Sequence, residues 1–340
     1  MNKRIVTTAL PLAGLLLVSA CGRAPANLEW QAPAMGTTYT VKVVSAPAGI
    51  TRGALQSEVA KILERIDRIF STYRADSEIS RFNAAFSTDW LGVSQSMIAV
   101  VEAAQTTSRL TGGAFDITLG PLISLWGFGP ELGDERVPGA AEIALLRSRM
   151  GYQKLHYRLR PPALRKQSEA IQIDLNALVA GYAADRVAAR LEQAGIRNYM
   201  VDMGGELRLK GHNARGDPWA IAIENPLPER QGVKWVLALT DCALSTSGNY
   251  RNFFEVDGVR YPHVLDGRSG RPTRHDLASV TVIAQSAMHA DAWATALLIL
   301  GPQAGYALAE RENVAALFIS RKDGNFEETM SPAFRTYLPR

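Results

Sequence analysis

The chain has 340 residues, enough for one large domain or two ordinary ones with a well-buried core. It carries 37 Lys and Arg against 33 Asp and Glu, which gives a formal net charge of +4. This near balance of charge gives no reason to expect binding to nucleic acid.

Residues 1–20 have the parts of a signal peptide: a basic start, an apolar run over 5–18 and small residues at the end. The apolar run is shorter than the ~20 residues that a membrane-spanning helix needs. Residues 17–21 (LVSAC) match a bacterial lipobox, although an ordinary secretory signal with a chance cysteine is the alternative. We therefore expect an exported protein, anchored to a bacterial membrane through lipidated Cys21 and facing the periplasm. Gly22 does not decide between the inner and the outer membrane.

Cys242 would then be the remaining free thiol, because the chain has two cysteines. Its apolar neighbours at 237–239 and 243–244 indicate a small buried residue rather than a nucleophile. The sequence therefore predicts neither a disulfide framework nor cysteine catalysis.

Helical and strand-like patterns alternate along the rest of the chain. Residues 21–34 are interpreted as a tether, and the remaining segments are assigned by apolar spacing of three and four or by alternation. No repeat, low-complexity tract or linker divides residues 35–340, so we predict one α+β domain. The predicted helices cover 55–69, 94–110, 181–194 and 287–300, and the predicted strands 38–44, 199–202 and 279–283.

Asp291 and Thr295 are four residues apart in the predicted helix 287–300 and therefore share one face. Both side chains offer oxygen, and together with backbone carbonyls and phosphate oxygens they would suit Mg²⁺. An Asp and a Thr on a helix also commonly form a solvated face or a local hydrogen bond. The pair by itself leaves both interpretations open.

Three loops contain glycines that would let a backbone approach a phosphate closely, at 111–116, 202–206 and 245–250. None has Rossmann or Walker spacing, so turn formation is the first interpretation of each taken singly. A fourth turn, 267–270, follows His263 and Asp266. His263 either contacts phosphate or transfers a proton, or it orders this turn through Asp266.

Taken together and in this order, the segments resemble the ApbE family of FAD:protein FMN transferases, formerly described as thiamine-biosynthesis lipoproteins. The resemblance covers most of the chain after the signal peptide, and it implies a single ApbE-type domain with mixed sheets flanked by helices and a T-fold-related core. The blocks that carry it are 35–39 (MGTTY), 71–73 (STY), 77–83 (SEISRFN), 113–118 (GAFDIT), 120–122 (GPL), 125–129 (LWGFG), 173–177 (IDLNA), 181–185 (GYAAD), 204–205 (GG), 245–248 (STSG), 263–266 (HVLD) and 291–297 (DAWATAL).

The resemblance also implies a set of site residues. Asp291 and Thr295 would hold Mg²⁺ together with the main-chain oxygens of Ala177 and Ala294, and His263 and Asp291 are the catalytic candidates. The residues implied to contact FAD, or to lie near it, are Met35, Tyr73, Ala114, Phe115, Asp116, Asp174, Ala180, Gly204, Gly205, Ser247, Gly248 and Leu265.

Two positions depart from the family pattern. Ala180 stands where family members usually have Lys or Glu before Gly-Tyr, which removes a charged group near the flavin or ribityl chain. Residues 266–270 read Asp-Gly-Arg-Ser-Gly where the family usually has Asp-Pro-x-Thr-Gly. The second change is milder, because Gly replaces Pro in a turn and Ser keeps a hydroxyl.

The activity implied by the resemblance is Mg²⁺-dependent transfer of FMN from FAD to a Thr or Ser hydroxyl of another protein, with release of AMP. The acceptors would be exported domains of membrane redox complexes that carry a short Asp/Ser-Gly-Ala-Thr/Ser motif. Two alternatives stay open. One is a Mg²⁺-dependent FAD pyrophosphatase that yields FMN and AMP; the other is a non-catalytic FAD-binding lipoprotein, which the missing charge at Ala180 favours.

Overall fold

The computed structural model describes residues 26–129, 136–226, 232–250 and 252–338. The predicted signal peptide and Cys21 lie outside these residues. The strands are β1 (Ala26–Ala34), β2 (Thr37–Ala46), β3 (Leu91–Gly92), β4 (Leu155–Leu159), β5 (Pro162–Lys166), β6 (Asn198–Met203), β7 (Glu206–Lys210), β8 (Trp219–Glu224), β9 (Val233–Leu239), β10 (Ala243–Gly248), β11 (Phe253–Val256), β12 (Val259–Pro262), β13 (Leu265–Asp266), β14 (Arg271–Pro272), β15 (Leu277–Ala284), β16 (Ala315–Lys322) and β17 (Asn325–Met330).

Helices lie between many of these strands along the chain. They are α1 (Arg52–Phe70), α2 (Glu78–Ala84), α3 (Gln95–Leu110), α4 (Gly120–Leu125), α5 (Ala140–Arg149), α6 (Asn176–Gln193), α7 (Ala287–Arg311) and α8 (Pro332–Arg335), with a 3₁₀ turn at Tyr152–Lys154.

The largest sheet has eight strands in the order β1-β2-β6-β7-β10-β15-β16-β17, and every neighbouring pair is antiparallel. Smaller sheets join β3, β5 and β4, and pair β8 with β9, β11 with β12 and β13 with β14. Helices and antiparallel sheets in one chain confirm the predicted α+β class.

Apolar side chains fill both faces of this sheet. The larger core lies between the sheet and α1, α3, α6 and α7, and includes buried Phe70 and Leu297. The opposite face packs against the β8–β9 hairpin and α8, with Trp219 and Phe334 buried there. Because β15 and β16 are covered on both sides, they are almost continuously buried rather than alternating.

A third apolar cluster supports the region around α4, α5 and the β11–β12 hairpin. Trp126 is buried at its centre, stacked on Tyr261 at 5.7 Å between ring centroids. The Trp126 indole Nε1 donates a hydrogen bond to the main-chain oxygen of Gly270 at 3.0 Å. This bond attaches the turn after β13 to the cluster, which fixes the segment that carries His263.

Two predicted boundaries differ from the structure. The tether over 21–34 is wrong for residues 26–34, because these form β1 and pair with β2 along its length. The helix predicted from residue 181 begins at Asn176, where the Asp174 carboxylate accepts the Asn176 N–H at 2.9 Å. The glycine at 181 therefore lies inside a helix and does not begin one.

Helix α7 is long and apolar enough to cross a membrane by length and composition. It packs against α6, β10 and β15, so it is the central helix of the core. The helix is interrupted by non-helical backbone at Gly301, next to Pro302. Its first half, up to this kink, corresponds to the helix predicted over 287–300.

The crossing of α6 and α7 depends on the absence of a side chain at Gly181. A Cβ at this position would lie 2.3 Å from the main-chain oxygen of Ala287. The Asp185 carboxylate, one turn further along α6, accepts hydrogen bonds from the Ser286 hydroxyl and from the N–H groups of Ala287 and Met288 at 2.7–3.0 Å. An anion at a helix N-terminus is electrostatically favourable, so Asp185 fixes the start of α7 against α6.

We expect Gly181→Ala to lower the free energy of unfolding by about 1–3 kcal/mol, because the added methyl group forces the two helices apart. Chemical denaturation of purified protein measures this change. Gly53→Ala is the matched control, since a Cβ at Gly53 in the first turn of α1 meets no atom within 4 Å. Equal stability of both variants and the wild type would contradict the close crossing.

Candidate active site

A cavity of about 550 Å³ opens where the end of β10, the start of α6 and the first half of α7 meet the loops around α4 and β13. This volume lies within the usual range for sites that bind organic molecules. The predicted site residues that line it are Tyr73, Phe115, Asp116, Asp174, Ala177, Ser247, Gly248, His263, Leu265, Asp291 and Thr295.

The other predicted residues lie outside the lining. Met35 is in the β1–β2 turn and Gly204 and Gly205 form the β6–β7 turn; the two turns lie side by side, since the Gly204 N–H donates to the Thr38 oxygen at 3.2 Å. Ala114, Ala180 and Ala294 pack into the larger core behind the cavity wall.

Hydrogen bonds join the three elements that carry the predicted metal ligands. The Gly181 N–H of α6 donates to Asp291 Oδ2 at 3.3 Å. The hydroxyls of Ser247 on β10 and Thr295 on α7 are 2.9 Å apart and share a hydrogen bond. Asp291 and Thr295 therefore face the cavity together, as their helical spacing predicted, and Ser247 orients the Thr295 hydroxyl from the sheet.

Three carboxylates, those of Asp116, Asp174 and Asp291, line the cavity. Burial raises the pKa of each one, and for Asp291 the pKa lies well above its ordinary value because the charge of Glu206 adds to the effect of burial. Among the lining residues that the structure describes, none is Lys or Arg. The part of the wall that the structure describes is therefore acidic, and no Lys or Arg side chain in it balances these carboxyl groups.

Asp116 has a structural function within this wall. Its Oδ1 accepts hydrogen bonds from the N–H and the hydroxyl of Thr118, both at 2.7 Å, and its Oδ2 accepts the Tyr152 N–H at 2.8 Å. These bonds lower the pKa and so partly oppose the effect of burial. Asp116 therefore holds the loop after α3 against the 3₁₀ turn, in addition to lining the cavity.

Sequence reasoning missed Glu206, which lies at the start of β7 directly after the Gly204–Gly205 turn. Burial raises its pKa to about 7, with a smaller contribution from the charge of Asp202. The Ser245 hydroxyl donates to Glu206 Oε1 at 3.4 Å, from the same strand as Ser247. The one sequence feature that could have pointed to Glu206 is its position beside a glycine pair. The sequence alone could not connect Glu206 to Asp291, which lies 85 residues away.

His263 is held by main-chain contacts rather than by an acid. Its ring Nδ1 lies 3.0 Å from the main-chain oxygen of Asn252, and its edge contacts the Phe128 ring. Because a carbonyl oxygen can only accept, Nδ1 carries the proton, and Nε2 is the acceptor nitrogen. Burial lowers the pKa of His263, which favours the neutral ring.

The interpretation that His263 orders the 267–270 turn through Asp266 is wrong. The Asp266 carboxylate is bound by Arg268, through its main-chain N–H at 2.8 Å and its guanidinium at 2.6 Å. At the family's usual proline position, the Gly267 N–H donates to the Ala114 oxygen at 2.9 Å, a bond that a proline cannot make. The departure at 267 therefore adds a main-chain link between this turn and the Ala114 loop.

The lining also includes residues that the sequence analysis did not assign as site residues. Some of them, such as Phe128, belong to the blocks that carry the family resemblance, while others, such as Asn252, had no recognisable feature in the sequence. The full set of these additional lining residues is Ile117, Leu119, Ile123, Phe128, Asn176, Thr246, Tyr250, Asn252, Val264 and Ile299.

The donor set fits Mg²⁺. Asp291 offers a buried carboxylate with no ion-pair partner among the described residues, and Thr295 and Ala177 line the same cavity. No group of three or more His, Cys, Asp or Glu in the described chain could hold a metal by itself. A hard cation that takes few protein ligands and completes its shell with water or phosphate oxygens therefore suits the site better than zinc.

Comparisons with known proteins agree in one family. The model described as ApbE family matches residues 35–318. The FAD:protein FMN transferase of Vibrio cholerae is 41% identical over 329 residues, covering 97% of this chain and 98% of that protein. The protein of the same name from Salmonella typhimurium is 38% identical over 340 residues, covering 97% of each chain. The crystal structure of the Pseudomonas stutzeri flavinyl transferase ApbE in its apo form gives a TM-score of 0.85 at 43% identity, covering 92% of this chain and 97% of that one.

We expect the metal-free protein to lose thermal stability as the pH rises from about 5 to about 8. A buried carboxyl with a raised pKa favours the folded state while it is protonated, and this stabilisation is lost as the pH rises through the raised pKa. Asp291→Asn removes the buried charge, so its melting temperature in EDTA should depend less on pH than that of the wild type.

The exposed Asp257 provides the matched control, because Asp257→Asn makes the same chemical change at a β-turn in solvent. Its pH dependence should follow the wild type. Identical pH dependence of all three proteins would show that Asp291 is not the group that titrates.

Proposed function

Because the chain belongs to the ApbE family of FAD:protein FMN transferases, we propose that its cavity binds FAD with Mg²⁺ and transfers FMN to a Thr or Ser hydroxyl of an acceptor protein. AMP is the leaving group. The similarity over nearly the full length of the relatives supports this activity, and the lining of the cavity supports its finer steps.

One observation carries the metal dependence: the described lining has three carboxylates and no Lys or Arg. A pyrophosphate placed there alone would meet negative charge, and phosphoryl transfer requires positive charge near the transferring group. Asp291, Thr295 and the main-chain oxygen of Ala177 are the residues that would hold Mg²⁺. When bound, Mg²⁺ would neutralise negative charge on the pyrophosphate.

The proposed reaction exchanges one phosphorus–oxygen bond for another. The acceptor hydroxyl oxygen bonds to the FMN-side phosphorus, the bond from that phosphorus to the bridging oxygen breaks, and AMP leaves with the bridging oxygen. The hydroxyl proton must go to a base. His263 suits this task, because its ring is held neutral by burial and Nε2 is its acceptor nitrogen.

The apolar part of the lining suits the ring systems of FAD. Tyr73 and Phe115 offer aromatic surface and Leu265 offers aliphatic surface, and all three line the cavity that Asp291 shares. Ala180 lies outside the lining, and no Lys or Arg among the described lining residues supplies the charge that it lacks. We propose that FAD is oriented by these apolar contacts and by the bound cation.

The transfer is tested by incubating the chain from residue 22 onward with FAD, Mg²⁺ and a purified domain that carries the Asp-Gly-Ala-Thr motif. Mass spectrometry of the acceptor domain should show the gain of one FMN, and EDTA should abolish it. Release of free FMN regardless of acceptor would assign the chain as a pyrophosphatase, and FAD retained without turnover would assign it as a binding protein.

Two variants separate the roles of the residues in this assay. Asp291→Ala should abolish metal-dependent transfer, because it removes the carboxylate ligand. His263→Gln should lower the transfer rate roughly 100-fold or more while FAD binding is kept, since a general base contributes a rate factor of this size. An active Asp291→Ala enzyme would refute the metal site, and a fully active His263→Gln enzyme would refute the base.

We also propose that the protein is exported and anchored through a lipid on Cys21, on the strength of the sequence of residues 1–21. Sharing a membrane with the acceptor would raise the encounter rate of the two proteins. Cys21→Ser should move the full-length protein from the membrane fraction to the soluble fraction of the cell. An equal membrane fraction for both proteins would contradict lipid anchoring.

A further inference from the structure

Two aromatic side chains near the cavity are unusually exposed. Tyr73 is 74% exposed and Phe86 is 87% exposed, more than any other large apolar side chain that the structure describes. Ala75 and Ala84, which lie between them in sequence, are exposed as well. We name Tyr73, Ala75, Ala84 and Phe86 the aromatic rim; they lie just before, at the end of and just after the short helix α2.

The backbone just before Phe86 is firmly held. The buried Lys166 ammonium donates to the main-chain oxygens of Asn83 at 3.2 Å and Ala85 at 2.9 Å, and lies over the Phe82 ring. The Asn83 side chain in turn binds both the N–H and the oxygen of Ile173, at 2.8 and 2.9 Å. Phe86 is therefore exposed on an anchored backbone and not on a loose loop.

The loop that carries Tyr73 is also fixed. Ser77 is buried and caps α2, with its hydroxyl accepting the Ser80 N–H at 3.0 Å. Arg74 binds the Asp76 carboxylate at 3.2 Å, and Arg81 donates to the Asp76 main-chain oxygen. These hydrogen bonds and this ion pair fix the segment between the two rings, so Tyr73, like Phe86, is exposed next to anchored backbone.

The segment that carries the aromatic rim is connected to the cavity at two points. Tyr73 itself lines the cavity. Near Phe86, the Asn83 side chain is hydrogen-bonded to Ile173, which directly precedes the cavity residue Asp174. Phe86 is outside the lining, so it does not contribute to the FAD-binding wall. A protein that inserts a side chain into this cavity must cover the surface beside its mouth.

We propose that the aromatic rim is the docking surface for the acceptor protein, which would present an apolar depression beside its modified hydroxyl; this inference rests on the proposed function. Exposed rings on a fixed backbone lose little conformational entropy on binding, and aromatic residues of this kind dominate binding energy at protein interfaces. Phe86 is the anchor that acts on the protein substrate without touching FAD.

The test uses Phe86→Ala in the chain from residue 22 onward, loaded with FAD and Mg²⁺, and the same Asp-Gly-Ala-Thr acceptor domain. Binding of this domain is measured by biolayer interferometry, and KM for the domain by mass spectrometry. We expect Kd and KM for the acceptor to rise roughly tenfold or more, which is the loss typical of an aromatic anchor. The Kd for FAD should stay within about twofold.

Val236→Ala is the matched control, because Val236 is 54% exposed on β9, outside the cavity lining. Val236→Ala should leave Kd and KM for the acceptor unchanged. Equal acceptor binding by Phe86→Ala and wild type overturns the proposal. A parallel loss of FAD binding in Phe86→Ala also overturns it, and so does a wild-type enzyme that does not bind the domain. The binding measurement is independent of turnover, so a wild type that binds the domain without transferring FMN refutes the proposed function alone.

A lipid surface is the other environment in which exposed aromatic rings are common. Vesicles of phosphatidylglycerol and phosphatidylethanolamine test this with the same two variants. Loss of vesicle binding in Phe86→Ala, together with unchanged acceptor binding, would assign the rim to the membrane and overturn its assignment to the acceptor.

Discussion

The close contact of α6 with α7 at Gly181 is the constraint on which the candidate site depends. Since Gly181 has no side chain, its N–H reaches the Asp291 carboxylate, and Asp185 can bind the first turn of α7. The same contact places the start of α6, with Ala177, beside the face of α7 that carries Asp291 and Thr295. A wider crossing would separate these oxygen atoms and leave the Asp291 carboxylate without its N–H partner.

The electrostatics of the cavity follow from this packing. Burial raises the cost of ionising both Asp291 and Glu206, and the charge of Glu206 adds to this cost at Asp291. Such an arrangement is unfavourable in the absence of a cation and becomes favourable when one binds. The β10 strand adds two hydroxyls at alternate positions, with Ser245 bound to Glu206 and Ser247 bound to Thr295. Sheet and helix thus orient the same group of oxygen atoms from opposite sides.

The lining residues of the cavity are held by different parts of the fold. Asp291 and Thr295 are hydrogen-bonded to α6 and β10, whereas His263 is held in a segment that the Trp126 cluster supports. The aromatic rim extends along the chain from the cavity residue Tyr73 to Phe86, and Lys166 and Asn83 fix the backbone just before Phe86. Under the two proposals, chemistry and recognition of the protein partner would use different parts of the fold.

Local pattern alone predicted the α+β class, the central helices and the shared face of Asp291 and Thr295, because helical and strand periodicity are encoded in neighbouring residues. The order of the motifs identified the family. Pattern failed at residues 26–34, where a strand forms because β2 offers a partner, and at Gly181, where a glycine lies within a helix because α7 passes close to it. It also could not connect Glu206 to Asp291, or Asn83 to Ile173 beside the cavity. Those relations join residues far apart in sequence, and they exist only once the sheet and helices have packed.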